Sequence, residues 1–90
     1  MIKAELVDAV AKRANITKKE AGQAVDALVS SVSETLARGE KVQLVGFGTF
    51  EVRQRQARAG RNPQTGDPIT IAARKTPVFR AGKTLREAVE

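Results

Sequence analysis

The chain has 90 residues, no cysteine and no histidine, and a net charge of +6 from 16 Lys and Arg against 10 Asp and Glu. That length allows one domain near the lower limit for burying a sufficient core, and the missing residue types exclude disulfides, thiolate or imidazole metal ligation, cysteine nucleophiles and histidine-based triads. Residues 1–52 hold seven basic and seven acidic side chains and residues 53–90 nine basic and three acidic, so the excess lies wholly in the C-terminal part and points to a polyanionic partner, nucleic acid first and anionic membrane second.

No apolar run approaches the ~20 residues of a membrane span, and acids interrupt MIKAELVDAVAKRAN where a signal peptide would be apolar. The expectation is a reducing, cytoplasmic compartment. From Ile2, the apolar positions Leu6, Val7, Val10 and Ala14 recur at helical spacing between Lys3, Glu5, Asp8 and Lys12, predicting a short amphipathic helix. Asn15-Ile16-Thr17 interrupts it. This triplet matches a glycosylation sequon but, without a secretory signal, reads as a helix connection, and Thr17 followed by Glu20 fits a capping box that opens a second helix. That helix carries the stripe Ala21, Val25, Leu28, Val32, Leu36 and stops at Gly39. The two make an antiparallel helical hairpin.

After Gly39 the apolar period changes to two. Val42 and Leu44 alternate with Lys41 and Gln43, Gly46-Phe47-Gly48 turns the chain, and a second strand follows with Phe50 and Val52 facing one way. Through RQRQAR the alternation puts Arg53 and Arg55 on one face and Gln54, Gln56 and Arg58 on the other. Neither face is apolar, so the strand is expected to leave the body. GRNPQTGDP then turns it, and Ile69-Thr70-Ile71 starts a return through Ala72, Ala73, Arg74 and Lys75, giving one long basic hairpin. Pro77, lacking an N–H, marks a bulge or an edge. Val78 and Phe79 re-enter the core, and a terminal helix turns Leu85, Ala88 and Val89 inward.

The fold class is therefore α+β. A helical hairpin (1–39) and a three-stranded antiparallel sheet body (40–53 and 76–81) carry a β-ribbon arm (54–75), and a short C-terminal helix (82–90) closes a single domain. With the arm projecting, the remaining core is marginal for a monomer and a dimer is the simplest remedy.

Arg53, Arg55, Arg58, Arg61, Arg74 and Lys75 are the main functional signal. A solvated, solubilising surface is the bland reading. Against it, nearly all are arginines, whose forked guanidinium binds phosphate bidentately and fits narrow minor grooves; the segment has no core, and only Asp67 opposes the charge. Pro63 is either a turn-former after Asn62 or an apolar wedge at the tip of the arm, and spacing alone favours the turn. Gly46-Phe47-Gly48 lacks the third glycine and following helix of a dinucleotide site, and Gly82-Lys83-Thr84 lacks the first glycine of a P-loop. No carboxylate pair is placed for acid–base chemistry, so neither an enzyme nor a cofactor is expected. With three Phe and no Tyr or Trp there is no platform for stacking single-stranded bases, which favours duplex binding.

The stretch GFGTFEVRQRQARAGRNPQTGDPITI, with the helical start and the closing PVFRAGKTLREAV, resembles the bacterial HU family of histone-like DNA-binding proteins over essentially the whole chain. The resemblance implies an intertwined homodimer whose two arms curl around double-stranded DNA, bending it with a preference for bent, nicked or flexible duplexes and compacting it in the nucleoid. It implies that Pro63 intercalates at the tip, flanked by Arg61 and Asn62 in the minor groove. Arg53, Arg55, Arg58, Arg74 and Lys75 would track phosphates along the arm and saddle, Lys3, Arg80, Lys83 and Arg86 would reach the DNA flanks, and Phe47, Phe50 and Phe79 would form the dimer core. Ala72 departs from the family pattern, where many relatives carry proline, which bears on the bend or stiffness of the arm. RNA stays open as a second nucleic acid. The alternatives are an integration-host-factor-like protein with site preference and a structural interaction protein using a basic arm.

Overall fold

A computed structural model of the chain describes every residue except Ala72, and of Arg58 and Ile71 the backbone only. The expected effect of Ala72 on the arm and the placement of the Arg58 side chain thus lie outside the described residues. The elements run α1 (Lys3–Ala14), α2 (Lys18–Ala37), β1 (Val42–Leu44), β2 (Gly48–Arg55), β3 (Arg58–Arg61), β4 (Pro68–Ile71), β5 (Arg74–Ala81) and α3 (Lys83–Val89). They group into two compact units, Met1–Glu34 and Thr35–Glu90.

In the first unit α1 ends at Asn15, whose left-handed backbone (φ 56°) lets the Ile16 N–H reach the Ala11 carbonyl, the closure that asparagine tolerates better than most residues. Thr17 and Glu20 then form the expected capping box. The Glu20 N–H donates to the Thr17 hydroxyl at 3.1 Å and the Thr17 N–H to the Glu20 carboxylate at 3.0 Å, satisfying two N–H groups that the start of α2 leaves open. The same Thr17 bonds hold the Glu20 carboxyl below its ordinary pKa. Ion pairs Lys3–Asp26 and Lys18–Asp8 join positions that only antiparallel helices bring together. Ala11, Ala21 and Val25 are buried, but Leu28 and Val29, further along α2, are 56% and 58% exposed. Of the predicted stripe, Ala21 and Val25 are thus buried, Val32 and Leu36 half-buried, and Leu28 exposed.

The second unit is built on an antiparallel sheet of order β1-β2-β5. β1 and β2 are joined by a turn in which the Phe47 N–H donates to the Leu44 carbonyl at 3.0 Å and Gly46 takes φ 83°, a type II geometry that requires glycine at that corner. The turn is pinned to the start of α3, because the Gly82 N–H donates to the Phe47 carbonyl at 2.8 Å and the Leu85 N–H to the Gly46 carbonyl at 3.2 Å. β2 and β5 pair from Gly48↔Ala81 to Arg55↔Arg74. β1 accompanies them only as far as Phe50, and beyond it the ladder is a two-stranded ribbon.

Of the two readings of Pro77 the edge holds: it sits directly opposite Val52 in unbroken register on the outer strand β5. Three expectations need correction. Val78 and Phe79, as neighbours on β5, face opposite sides of the sheet and do not share a core; Phe79 is 42% exposed. Val89 does not turn inward either: it is 78% exposed, while Leu85 and Ala88 line an open apolar groove of about 380 Å³ with Val45, Phe47 and Thr84. Finally, the arm strand is not continuous through RQRQAR, because Gln56 and Ala57 separate β2 from β3. No third strand flattens the ribbon there, and two-stranded ribbons twist more strongly than sheets.

Candidate nucleic-acid interface

The register decides which basic side chains share a surface. Directly opposed residues lie on one face and faces alternate along each strand. The pairs Thr49↔Arg80, Glu51↔Val78, Arg53↔Thr76 and Arg55↔Arg74 therefore gather Arg53, Arg55, Arg74 and Arg80 on one face. The opposite face holds Phe50↔Phe79, Val52↔Pro77 and Gln54↔Lys75. On that side Phe79 lies 4.8 Å from Phe50 and 5.4 Å from Phe47 between ring centroids, in tilted packing. The sheet is thus arginine on one side and aromatic on the other. Lys75, grouped with the arginines in the sequence reading, projects from the aromatic side. A close approach fixes this sandwich: a Cβ on Gly48 would lie 2.5 Å from the Phe79 ring and 2.6 Å from the Arg80 carbonyl oxygen.

β3 and β4 form the distal hairpin, paired from Arg58↔Ile71 to Arg61↔Pro68. Arg58 lies as many residues beyond Arg55 as Ile71 lies before Arg74, so the pairing resumes without a slip. At the tip, the Asn62 N–H donates to the Asp67 carbonyl at 2.8 Å and the Gly66 N–H to the Asn62 carbonyl at 2.7 Å. The Asn62 side-chain oxygen accepts from the Gln64 N–H at 2.9 Å, an Asx turn, and the Thr65 hydroxyl accepts from the Asp67 N–H at 3.3 Å. Gly66 has φ 75°, which a side chain would resist. Arg61 donates from its guanidinium to the Gly66 carbonyl at 3.0 Å, bracing the neck of the loop. Pro63 is exposed at the turn while Asn62 is half-buried beneath it.

The remaining predicted residues lie elsewhere. Lys3 is paired with Asp26 in the helical unit. Lys83 reaches Glu87 at 3.9 Å along α3, where Arg86 is exposed in the last turn. One residue was missed by sequence reasoning. Glu51 approaches Arg53 at 3.9 Å and Arg80 at 3.7 Å, placing a carboxylate in the arginine face. The period of two from Thr49 to Arg55 already aligns Glu51 with Arg53; only the register adds Arg80. Among the described residues no group of histidine, cysteine or carboxylate side chains could hold a metal ion, and no helix is long and apolar enough to cross a membrane.

The sequence profile of the family described as Bacterial DNA-binding protein matches residues 1–90. The chain belongs to the HU family of bacterial DNA-binding proteins. DNA-binding protein HU of Staphylococcus aureus (strain COL) is 61% identical over 90 residues, covering all of both chains. DNA-binding protein HU-beta of Escherichia coli (strain K12) is 58% identical over 89 residues, covering 99% of each. Among solved structures, the Anabaena HU–DNA cocrystal structure superposes with a TM-score of 0.89 at 50% identity, over 99% of this chain and 97% of that one. HU from Thermotoga maritima gives 0.70 at 37% identity over the full length of both. The α+β HU fold expected from the sequence is therefore the fold observed.

Proposed function

We propose that this HU-family chain is an architectural DNA-binding protein that, as a homodimer, bends and compacts double-stranded DNA without reading its sequence. The observation that carries the reading is the one-sided ribbon: Arg53, Arg55, Arg74 and Arg80 on one face, leading to a loop whose exposed residue is Pro63. A solved structure of HU with DNA, to which this chain superposes at TM-score 0.89, supports DNA binding by this fold. Arginines on phosphates release counterions, giving affinity that falls steeply with salt and discriminates little between bases, since the minor groove distinguishes mainly A·T from G·C. HU-type proteins are themselves among those for which apolar wedges between base steps are described. On that basis Pro63 is the wedge, Arg61 and Asn62 hold and flank it in the minor groove, and Arg58 and Lys75 extend the phosphate contacts. Lys3, Lys83 and Arg86 serve the DNA flanks once they exchange their present carboxylate partners or solvent for phosphate.

The dimer follows from what one chain leaves uncovered. Phe47 and Phe79 are 47% and 42% exposed, and a patch of large apolar residues of this kind calls for a covering partner. Two aromatic faces, completed by Phe50, form the shared core of a single intertwined domain acting in the cytoplasmic nucleoid. The activity is non-enzymatic and needs no cofactor.

The test is a titration of a straight and a nicked duplex of equal length across a range of salt. Tighter binding to the nicked duplex, with log affinity falling linearly in log salt for both, is expected. Affinity that ignores salt would refute DNA binding through this surface and favour a protein partner.

A further inference from the structure

Glu51 is the only acidic residue on the arginine face of the β2–β5 ladder, where the register gathers Arg53, Arg55, Arg74 and Arg80. Its side chain is only 23% exposed and a single carboxylate oxygen, Oε1, faces both the Arg53 guanidinium at 3.9 Å and the Arg80 guanidinium at 3.7 Å. Beside it opens a cleft of about 370 Å³ that also takes in Lys41, Gln43 and Thr49. Two cations thus share one anion in the middle of the surface that would meet DNA. Both separations exceed hydrogen-bonding distance, so the carboxylate neutralises the guanidiniums without locking their orientation. A positioning role would require short, directed bonds; a shared, loose anion is instead easily exchanged for another.

We propose that Glu51 is a built-in competitor of the DNA phosphate: it holds the charge of Arg53 and Arg80 in the free protein, and both arginines leave it for phosphate oxygens when DNA binds. This deepens the DNA-binding reading above and rests on it. The consequence is an affinity set below what the arginine count alone would give, with a shallower dependence on salt, because an arginine already facing a carboxylate displaces fewer counterions in taking up a phosphate.

The experiment is a salt titration of duplex binding by the full chain and Glu51→Gln, repeated in an Arg53→Gln/Arg80→Gln background. Glu51→Gln is expected to bind every duplex about three- to tenfold more tightly near ~0.1 M salt and to steepen the log–log salt slope by up to ~1 per chain. In the double-arginine background the same change should lose most of its effect. Unchanged or weaker binding by Glu51→Gln overturns the proposal, as does an equal gain in the double-arginine background, which would mean a diffuse field effect. If Glu51→Gln fails to fold, as read by circular dichroism, Glu51→Thr carries the same test with a strand-favouring residue. Salt-independent binding of the unmodified chain would instead sink the DNA-binding reading itself, so the two failures are distinguishable.

Discussion

Replacing Arg61 separates two roles that the tip geometry gives one side chain. Its guanidinium donates to the Gly66 carbonyl at 3.0 Å and so closes the neck of the loop that presents Pro63; it is also a cation at the end of the arm. Removing it as Arg61→Ala deletes one exposed hydrogen bond, worth about 0.5–1.5 kcal/mol, from a loop otherwise held by the Asn62–Asp67 and Gly66–Asn62 backbone bonds. The loop should persist but present its proline less rigidly. Removing the charge from each arm of a dimer reduces the salt slope by about 0.9 per phosphate contact, so the ratio of wild-type to variant affinity should shrink roughly three- to fourfold when salt is doubled. Fluorescence transfer between the ends of a short duplex reads the bend, and anisotropy against salt reads the contacts. Arg61→Ala should lower both. Pro63→Ala should lower the bend while leaving the salt slope intact, since no charge is lost. An Arg61→Ala variant with weaker binding but an undiminished bend would refute the brace, and a Pro63→Ala variant with an unchanged bend would refute the wedge.

Other outcomes follow from the body of the fold. Thr17→Ala removes the capping hydroxyl that accepts the Glu20 N–H and should cost about 1 kcal/mol, a fall of roughly 4–8 °C in Tm by circular dichroism at fixed protein concentration. The Glu20 carboxyl, held below its ordinary pKa by the Thr17 bonds, contributes stability that is present above its unfolded pKa and lost as pH falls through the lower folded value. An NMR titration should show that depression in the wild type and only its partial relief in Thr17→Ala, because the variant keeps the Thr17 backbone N–H that is the larger cause. Gly48→Ala places a Cβ 2.6 Å from the Arg80 carbonyl oxygen; because backbone cannot rotate away, about 1–3 kcal/mol should be lost, and a melting curve matching wild type would contradict the packing. Sedimentation equilibrium should give a dimer, with a Tm that rises with protein concentration, and Phe79→Ser should weaken the association.

The helix boundaries were legible because their signals are local. The capping box needs only Thr17 and Glu20, the stop needs only Gly39, and both are seen in place. The strands were legible as strands, with Phe50 and Val52 on one face as their alternation required. What a single strand could not give was its partner. Arg80 joins Arg53, and Lys75 departs from it, only through the pairs Thr49↔Arg80 and Gln54↔Lys75, whose registration depends on closing the chain between residues 55 and 74. The choice between bulge and edge at Pro77 stayed open for a related reason: proline is at home in either place, and only the unbroken register through Val52↔Pro77 and the outer position of β5 decide for the edge.

The same dependence on pairing explains why the functional surface is polar on one side only. In a two-stranded ribbon leaving a body, alternation forces every second residue onto each face, so an arginine face at the root comes with a second face that must go somewhere. Here that second face runs from Gln54 and Lys75, which tolerate water, into Val52, Pro77, Phe50 and Phe79, which do not. The ribbon therefore changes from arm to core within a few residues, and the place of change is where β1 joins the ladder at Phe50. A partner that covered the aromatic side would leave the arginine side outermost, so on the proposed function dimerisation and phosphate binding would use opposite faces of the same two strands and would not compete. Substitutions should follow that division: Arg53→Gln should change DNA affinity and leave the dimer intact, whereas Phe50→Ser should weaken the dimer first and DNA binding only in consequence. If Phe50→Ser remained dimeric at micromolar concentration by sedimentation while losing DNA affinity, the separation of the two faces would be wrong.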